Sequence, residues 1–240
     1  MADTCPGSSS PAKPDSANHS NLISGHPPIS IYQQSSNGNG KAELLLQNGP
    51  SEQDTPQDWH GDYILFRRLK VGARLERNLW VLPMSGDRTP KPYLPLSRFM
   101  PLQAQISPNE RYLAYVTAES GTNQVVVQTF PDPTKGKWPI SASGGIEPRW
   151  RSDGRELFYL EPDGKLTAVS VKTESTFEVG DRAVLFQIPF ATGLPGMVQR
   201  YDVTADGKRF LVVPPPTGSS EPSPTIITAV VNWPALLRRK

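Results

Sequence analysis

The sequence predicts an all-β chain: a partial β-propeller of about four to five four-stranded antiparallel blades. Three observations carry this expectation. Short β-prone runs of four to seven residues recur along the chain, each bounded by Gly, Pro, Asp, Asn or Ser. Proline is abundant, 26 of 240 residues, beside 19 glycines. Such punctuation leaves little room for long helices. A turn-plus-strand motif also returns at a spacing that fits a four-stranded blade.

The runs include Tyr63-Ile64-Leu65-Phe66, Leu79-Trp80-Val81-Leu82, Tyr112-Leu113-Ala114-Tyr115, Gln124-Val125-Val126-Val127, Leu157-Phe158-Tyr159-Leu160, Phe210-Leu211-Val212-Val213 and Ile226 to Val231. Three segments superpose: Ile106 to Tyr115, Trp150 to Tyr159 and Val203 to Val212. Each reads as an apolar anchor, small or turn-forming residues, Asp or Asn, Gly or Glu, then an apolar strand. Trp59 to Phe66 is a fourth copy, shorter by two residues in its turn. Anchored at Trp59, Ile106, Trp150 and Val203, the spacings are 47, 44 and 53 residues.

The turn chemistry explains the motif. In Ser107-Pro108-Asn109 proline presets φ at the second turn position, and Asp or Asn bonds locally to the backbone. Hairpin turns are therefore expected at 107–110, 151–154 and 204–207. A third strand would hold Leu79 to Leu82 or Val125 to Val127. A shorter, more polar fourth would lie at Pro92 to Pro95 or Trp138 to Ser141. Sheets apolar on both faces must stack on one another. Residues 1–28 are rich in Ser, Pro, Asn and Gly and poor in large apolar side chains, so they read as a disordered head. The propeller is expected over 29–237.

The segment Gly144-Gly145-Ile146-Glu147-Pro148-Arg149-Trp150-Arg151-Ser152-Asp153-Gly154-Arg155-Glu156-Leu157-Phe158-Tyr159-Leu160 closely resembles the TolB-like, WD40-like propeller at the C-terminal end of many large bacterial serine/threonine protein kinases. The likeness continues through Tyr201 to Val212 and on to Ile226-Thr228 and Val231-Asn232-Trp233. Upstream it takes in Thr55 to Trp59 and Asn78 to Pro83. It implies a sensing or scaffolding propeller that a membrane span separates from its kinase. Two departures stand out. The copy at Trp59 has a shortened turn, and complete propellers of this kind have six or more blades. The chain is thus expected to be the C-terminal part of a longer protein.

Composition narrows the partners. The formal charge is +2, from 25 Lys and Arg against 23 Asp and Glu, which points to neither nucleic acid nor an anionic membrane. Mean hydropathy is −0.44, and no segment reaches the roughly 18 apolar residues of a membrane span. Met1 to Ser10 lacks the basic start and apolar core of a signal peptide. The one cysteine, Cys5, excludes an internal disulfide. Asn18-His19-Ser20 matches a glycosylation sequon, a pattern that chance often produces. As written, the chain would stay in the cytoplasm; as part of the membrane-anchored kinase it would lie outside.

The search for chemistry finds no catalytic motif. Gly-x-Gly-x-x-Gly, His-Arg-Asp and Asp-Phe-Gly are missing, as is the Gly-x-Ser-x-Gly elbow of hydrolases. None of the four Gly-Lys pairs is followed by Ser or Thr, so no NTPase phosphate loop is present. Of three histidines, His19 and His26 lie in the head. His60, beside Asp58, reads as filler of the shortened turn, since a general base also needs a nucleophile and an orienting group. Asp153 and Asp206 read as turn residues rather than metal ligands. Trp59 and Trp150 read as blade-core anchors because they recur in register. Arg149 and Arg151 flank Trp150 on the opposite strand face and are the candidate ligand-facing residues, against the plainer reading of surface salt bridges.

No cofactor or metal is expected, and no enzymatic activity. The leading reading is a non-catalytic binding, sensing or protein-interaction module that meets a protein or small molecule at the propeller end face. The alternative is an accessory propeller that gates or positions a separate kinase or peptidase domain. The terminal blades are expected to expose apolar faces around Ile31, Leu44, Leu45 and Leu46 and around Ile226, Ile227, Val230 and Val231. Such faces mark association sites, so light scattering on the purified chain should report oligomers or aggregates above 26.4 kDa. A monomer with a sharp cooperative melt would instead indicate a small closed ring.

Overall fold

Hairpin chemistry sets the architecture. The computed structural model describes residues 30–71, 75–94, 102–188 and 199–213. Five antiparallel sheets follow one another along the chain. Sheet I pairs β1 (Ile31–Gln33) with β2 (Glu43–Leu46). Sheet II runs β3 (Glu52–His60), β4 (Tyr63–Val71), β5 (Leu75–Pro83), β6 (Lys91–Pro92). Sheet III runs β7 (Leu102–Ile106), β8 (Tyr112–Thr117), β9 (Gln124–Thr129), β10 (Lys137–Pro139). Sheet IV runs β11 (Ile146–Trp150), β12 (Glu156–Leu160), β13 (Lys165–Lys172), β14 (Glu178–Gln187). Sheet V pairs β15 (Tyr201–Val203) with β16 (Phe210–Val212). Among the described residues the one helical element is a 3₁₀ turn at Pro133–Lys135. The fold is all-β, a partial β-propeller with three four-stranded blades between two two-stranded ones.

The three expected turns share one geometry. Glu110 N–H donates to Ser107 O, Gly154 N–H to Arg151 O and Gly207 N–H to Thr204 O, at 2.9, 2.9 and 2.8 Å. The fourth turn residue takes positive φ each time: 56° at Glu110 and 71° at both Gly154 and Gly207. Glycine reaches that region without steric cost. Asn109, Asp153 and Asp206 each accept from the amide two residues on, at 3.2, 3.0 and 3.1 Å. The repeat seen in sequence is thus a repeat of hydrogen bonds.

Alternation along the central strands gives each sheet two apolar faces, and adjacent sheets share four cores. Ile31, Ile64, Phe66 and Leu82 lie between sheets I and II. Leu65, Leu79, Val81, Ile106, Leu113 and Tyr115 lie between II and III. Tyr112, Ala114, Val125, Trp150, Leu157 and Tyr159 lie between III and IV. Phe158, Leu160, Leu166 and Tyr201 lie between IV and V, where Phe210 packs edge-on against Phe158 at 5.1 Å. These rings and branched chains bury apolar area at roughly 25 cal/mol per Å².

Several expectations need correction. Trp150 is a core anchor, 8 % exposed, but Trp59 is 57 % exposed. Trp59 shares the face of its partner Ile64, yet it sits at a hairpin tip and lies outside the core that sheet I covers. Ile31, expected to be exposed, is 4 % exposed, because β1 turns it onto Ile64 and Phe66. Leu44 is exposed as expected, whereas Leu45 and Leu46 pack against that core. The fourth strands of II and III start at Lys91 and Lys137 and are short. That of IV is ten residues long and exposed throughout. Ser141 lies beyond β10, where its hydroxyl accepts from Val125 N–H at 2.9 Å. The head 1–28 with Cys5, His19, His26 and the sequon, Pro95, and Ile226 to Val231 fall outside the described residues.

Trp150→Ala should therefore cost about 3–5 kcal/mol, and Trp59→Ala less than about 1 kcal/mol, as for other surface changes. Urea melts of both variants check this; equal costs would contradict the assigned burial.

Candidate functional site

The first strands of successive sheets, β3, β7 and β11, lie beside one another. Each has one edge paired within its own sheet and one edge free, so its outward N–H groups need acceptors from elsewhere. Side chains of the preceding sheet supply them. Asp58 Oδ2 accepts from Ile106 N–H at 2.8 Å, and Gln105 Oε1 accepts from Trp150 N–H at 3.4 Å. The indole N–H of Trp150 donates to Gln105 O at 3.2 Å. Both acceptors stand one residue ahead of their sheet's anchor.

A second set lies three residues ahead of the anchors. Gln103 Oε1 accepts from Glu147 N–H at 2.9 Å, and Glu147 Oε2 accepts from Arg200 N–H at 2.7 Å. Arg200 also pairs through Nη1 with Glu147 Oε1 at 2.5 Å, and Tyr201 donates its hydroxyl proton to Glu147 O at 2.7 Å. Gln103 and Glu147 both sit at register shifts, with φ of 51° and 57°. The bulge turns their side chains toward the next sheet. Burial raises the Tyr201 hydroxyl well above the ordinary tyrosine range, so it remains a donor.

Arg149 occupies the same register as Asp58 and Gln105. Its side chain is 15 % exposed. Nη2 donates to Gln199 Oε1 at 2.5 Å, and Nε lies 3.8 Å from Asp202 Oδ1. Among the described residues Nε is buried without a hydrogen-bond partner, as is Nε2 of Gln103. Burial pushes the Asp58 carboxyl up, and the hydrogen bonds from the Ile106 and Trp59 amides only partly oppose it.

Arg151 is placed differently. It donates through Nε and Nη2 to Asp153 at 2.7 and 2.5 Å and through Nη1 to Glu156 at 2.7 Å. The hydrogen bond to Asp153 raises the guanidinium further and pulls the Asp153 carboxyl down to about 2. Its stem covers Gly207, where an added Cβ would stand 2.6 Å from Arg151 Cδ. Arg151 therefore clamps its own hairpin onto that of sheet V. The structure does not bring the two candidate arginines into one cluster.

The hairpin turns form a second seam. His60 Nε2 lies 3.1 Å from Pro108 O, and Ser152 Oγ donates to Ala205 O at 2.6 Å. Asn109 Nδ2 donates to Thr173 O at 3.0 Å. His60 thus joins one turn to the next, in line with its reading as a turn residue. A groove of about 450 Å³ has Trp80, Arg68, Lys70 and Glu76 in its wall. Another of about 430 Å³ lies among Thr122, Asn123, Gly144, Gly145 and Pro162. Among the described residues, no three His, Cys, Asp or Glu side chains gather as metal ligands, and no helix is long and apolar enough to cross a membrane.

No protein-family model matches the chain, and no curated protein sequence matches it. Solved structures do. TolB from Acinetobacter baumannii is similar at a TM-score of 0.54 and 15 % identity, over 75 % of this chain and 42 % of that one. A TolB structure from Agrobacterium tumefaciens gives 0.48 and 14 %, over 66 % and 57 %. The β-propeller domain of the Trilobed protease from Pyrococcus furiosus gives 0.35 and 14 %, over 67 % and 71 %. At such identities the likeness shows the fold alone, a β-propeller similar to that of TolB. It spans about half the length of the TolB structures it matches.

Sequence reasoning picked out Arg149 but missed Gln103, Gln105 and Glu147. Their only signal was position, one or three residues ahead of each anchor.

Asp58 generates a prediction. An acid whose folded pKa lies above its unfolded value binds its proton more tightly when folded, so the protein loses stability as pH rises through that window. Asp58→Asn keeps an oxygen for Ile106 N–H and removes the desolvated charge. The variant should melt higher than the parent at pH 7 and no higher at pH 3, by circular dichroism; the opposite order would contradict the burial assignment.

Proposed function

We propose that the chain is a non-catalytic binding or sensing module, the C-terminal propeller of a receptor-like bacterial serine/threonine kinase, which meets its ligand at the end of the inner strands through Arg149. The observation that carries this reading is the arginine itself. It is a donor-only side chain at a register where the two preceding sheets place acceptors, and its Nε has no hydrogen-bond partner among the described residues. Groups that a fold does not use for its own satisfaction are the ones left for recognition. Arg151, with its donors spent on Asp153 and Glu156, belongs to the scaffold.

The TolB-like fold supports a propeller module in general; the link to a kinase rests on the resemblance of Gly144 to Leu160 and Tyr201 to Val212. An accessory propeller that gates a neighbouring peptidase or kinase domain is the second reading. The coding sequence upstream of Met1 distinguishes the two. An in-frame kinase catalytic domain followed by an apolar span is expected, and an in-frame peptidase domain would replace the kinase reading with the gate.

A further inference from the structure

The seam between sheets IV and V differs from those before it. At the register of Asp58 and Gln105 it carries Arg149, whose guanidinium offers five donors and no acceptor. Val203 N–H, the counterpart of Ile106 N–H and Trp150 N–H, is met instead by Asp202 Oδ1 at 2.9 Å. At this register the seam satisfies its backbone N–H without help from sheet IV. That frees Arg149 from the scaffolding task its counterparts perform. Its Nη2 reaches Gln199, and its Nε has no hydrogen-bond partner among the described residues, only an ion pair with Asp202 Oδ1 at 3.8 Å, beyond hydrogen-bond range.

We propose that this seam is a carboxylate-binding site and that Arg149 reads the ligand. Its Nε and a terminal amino group donate in parallel to the two carboxylate oxygens, the forked pairing that guanidinium favours. The inference deepens the binding-module reading and rests on it. Asp202 is the built-in competitor: its Oδ1 accepts from Val203 N–H and stands 3.8 Å from Nε, and its side chain is 73 % exposed, so its charge is the one an entering ligand must outcompete. Among the described residues, Asp202 is the carboxylate within ion-pair distance of Arg149. The ligand carboxylate belongs either to a free small acid or to the C-terminus of a peptide.

The test is a titration of the full ¹⁵N-labelled chain with acetate, succinate, and tetra-alanine bearing a free or an amidated C-terminus, at constant ionic strength. Saturable shifts are expected at Arg149 Nε–H and at the Gln199 and Val203 amides. Arg149→Gln should weaken binding at least tenfold, and Arg149→Lys less. Asp202→Asn should tighten it severalfold, because Asn keeps the oxygen for Val203 N–H and loses the competing charge. Saturation by acetate or succinate assigns a free acid; saturation by tetra-alanine alone, lost on amidation, assigns a peptide end. Unchanged affinity in Asp202→Asn, or parental affinity in a folded Arg149→Gln, overturns the site and leaves the binding-module reading standing. Failure of every carboxylate to bind the Asp202→Asn chain overturns the carboxylate class. A peptidase frame upstream would overturn the kinase reading without touching this site.

Discussion

Every sheet here opens on a strand with one free edge, and the rest of the structure is arranged to satisfy it. An unmet buried N–H costs about 1–3 kcal/mol, several times what a surface contact returns. Asp58, Gln103, Gln105 and Glu147 meet that need by reaching from one sheet to the backbone of the next. The contacts are side chain to main chain, so they fix the register between sheets more tightly than apolar packing, which tolerates sliding. The bulges at Gln103 and Glu147 follow from the same demand. A regular strand alternates its side chains strictly between the two faces; positive φ breaks that alternation and turns both side chains across the seam.

The opposite end of the inner hairpins solves a different problem. Each turn presents carbonyl oxygens that its own hairpin cannot use, and the neighbouring turn or loop supplies a donor: His60 toward Pro108, Asn109 toward Thr173, Ser152 toward Ala205. Glu110 pays a conformational cost where the later copies have glycine. Its position is confined from the other side, since a Cβ on Gly61 would collide with the Glu110 carboxylate. At the outer edges, Pro92 and Pro139 end β6 and β10 and withhold an N–H from any further strand.

What could be read from the sequence was what local chemistry decides. Pro108-Asn109 and Asp206-Gly207 specify a turn wherever they stand, and the apolar runs that follow specify strands. Trp59 shows the limit. Its register and type match Trp150, but burial depends on whether a neighbouring sheet reaches the hairpin tip, and sheet I does not. Ile31 fails in the reverse direction: a first strand looked uncovered until β1 was seen to turn its one buried side chain inward. The acceptor pattern was hidden for a related reason. Gln and Glu ahead of a strand read as ordinary polar residues until the register shows that they face another strand's free amides.

Arg149 also separates the last seam from the earlier ones. At the register where Asp58 and Gln105 give their oxygens to the next strand's amide, it brings only donors, and Asp202 meets Val203 N–H instead. Sheets IV and V are still tied three residues ahead of their anchors, where Glu147 accepts from Arg200 N–H, and at the turns, where Ser152 donates to Ala205 O. The seam therefore keeps its register without Arg149, whose Nε has no hydrogen-bond partner among the described residues. A side chain whose donors the backbone does not need is one that the fold can give over to recognition.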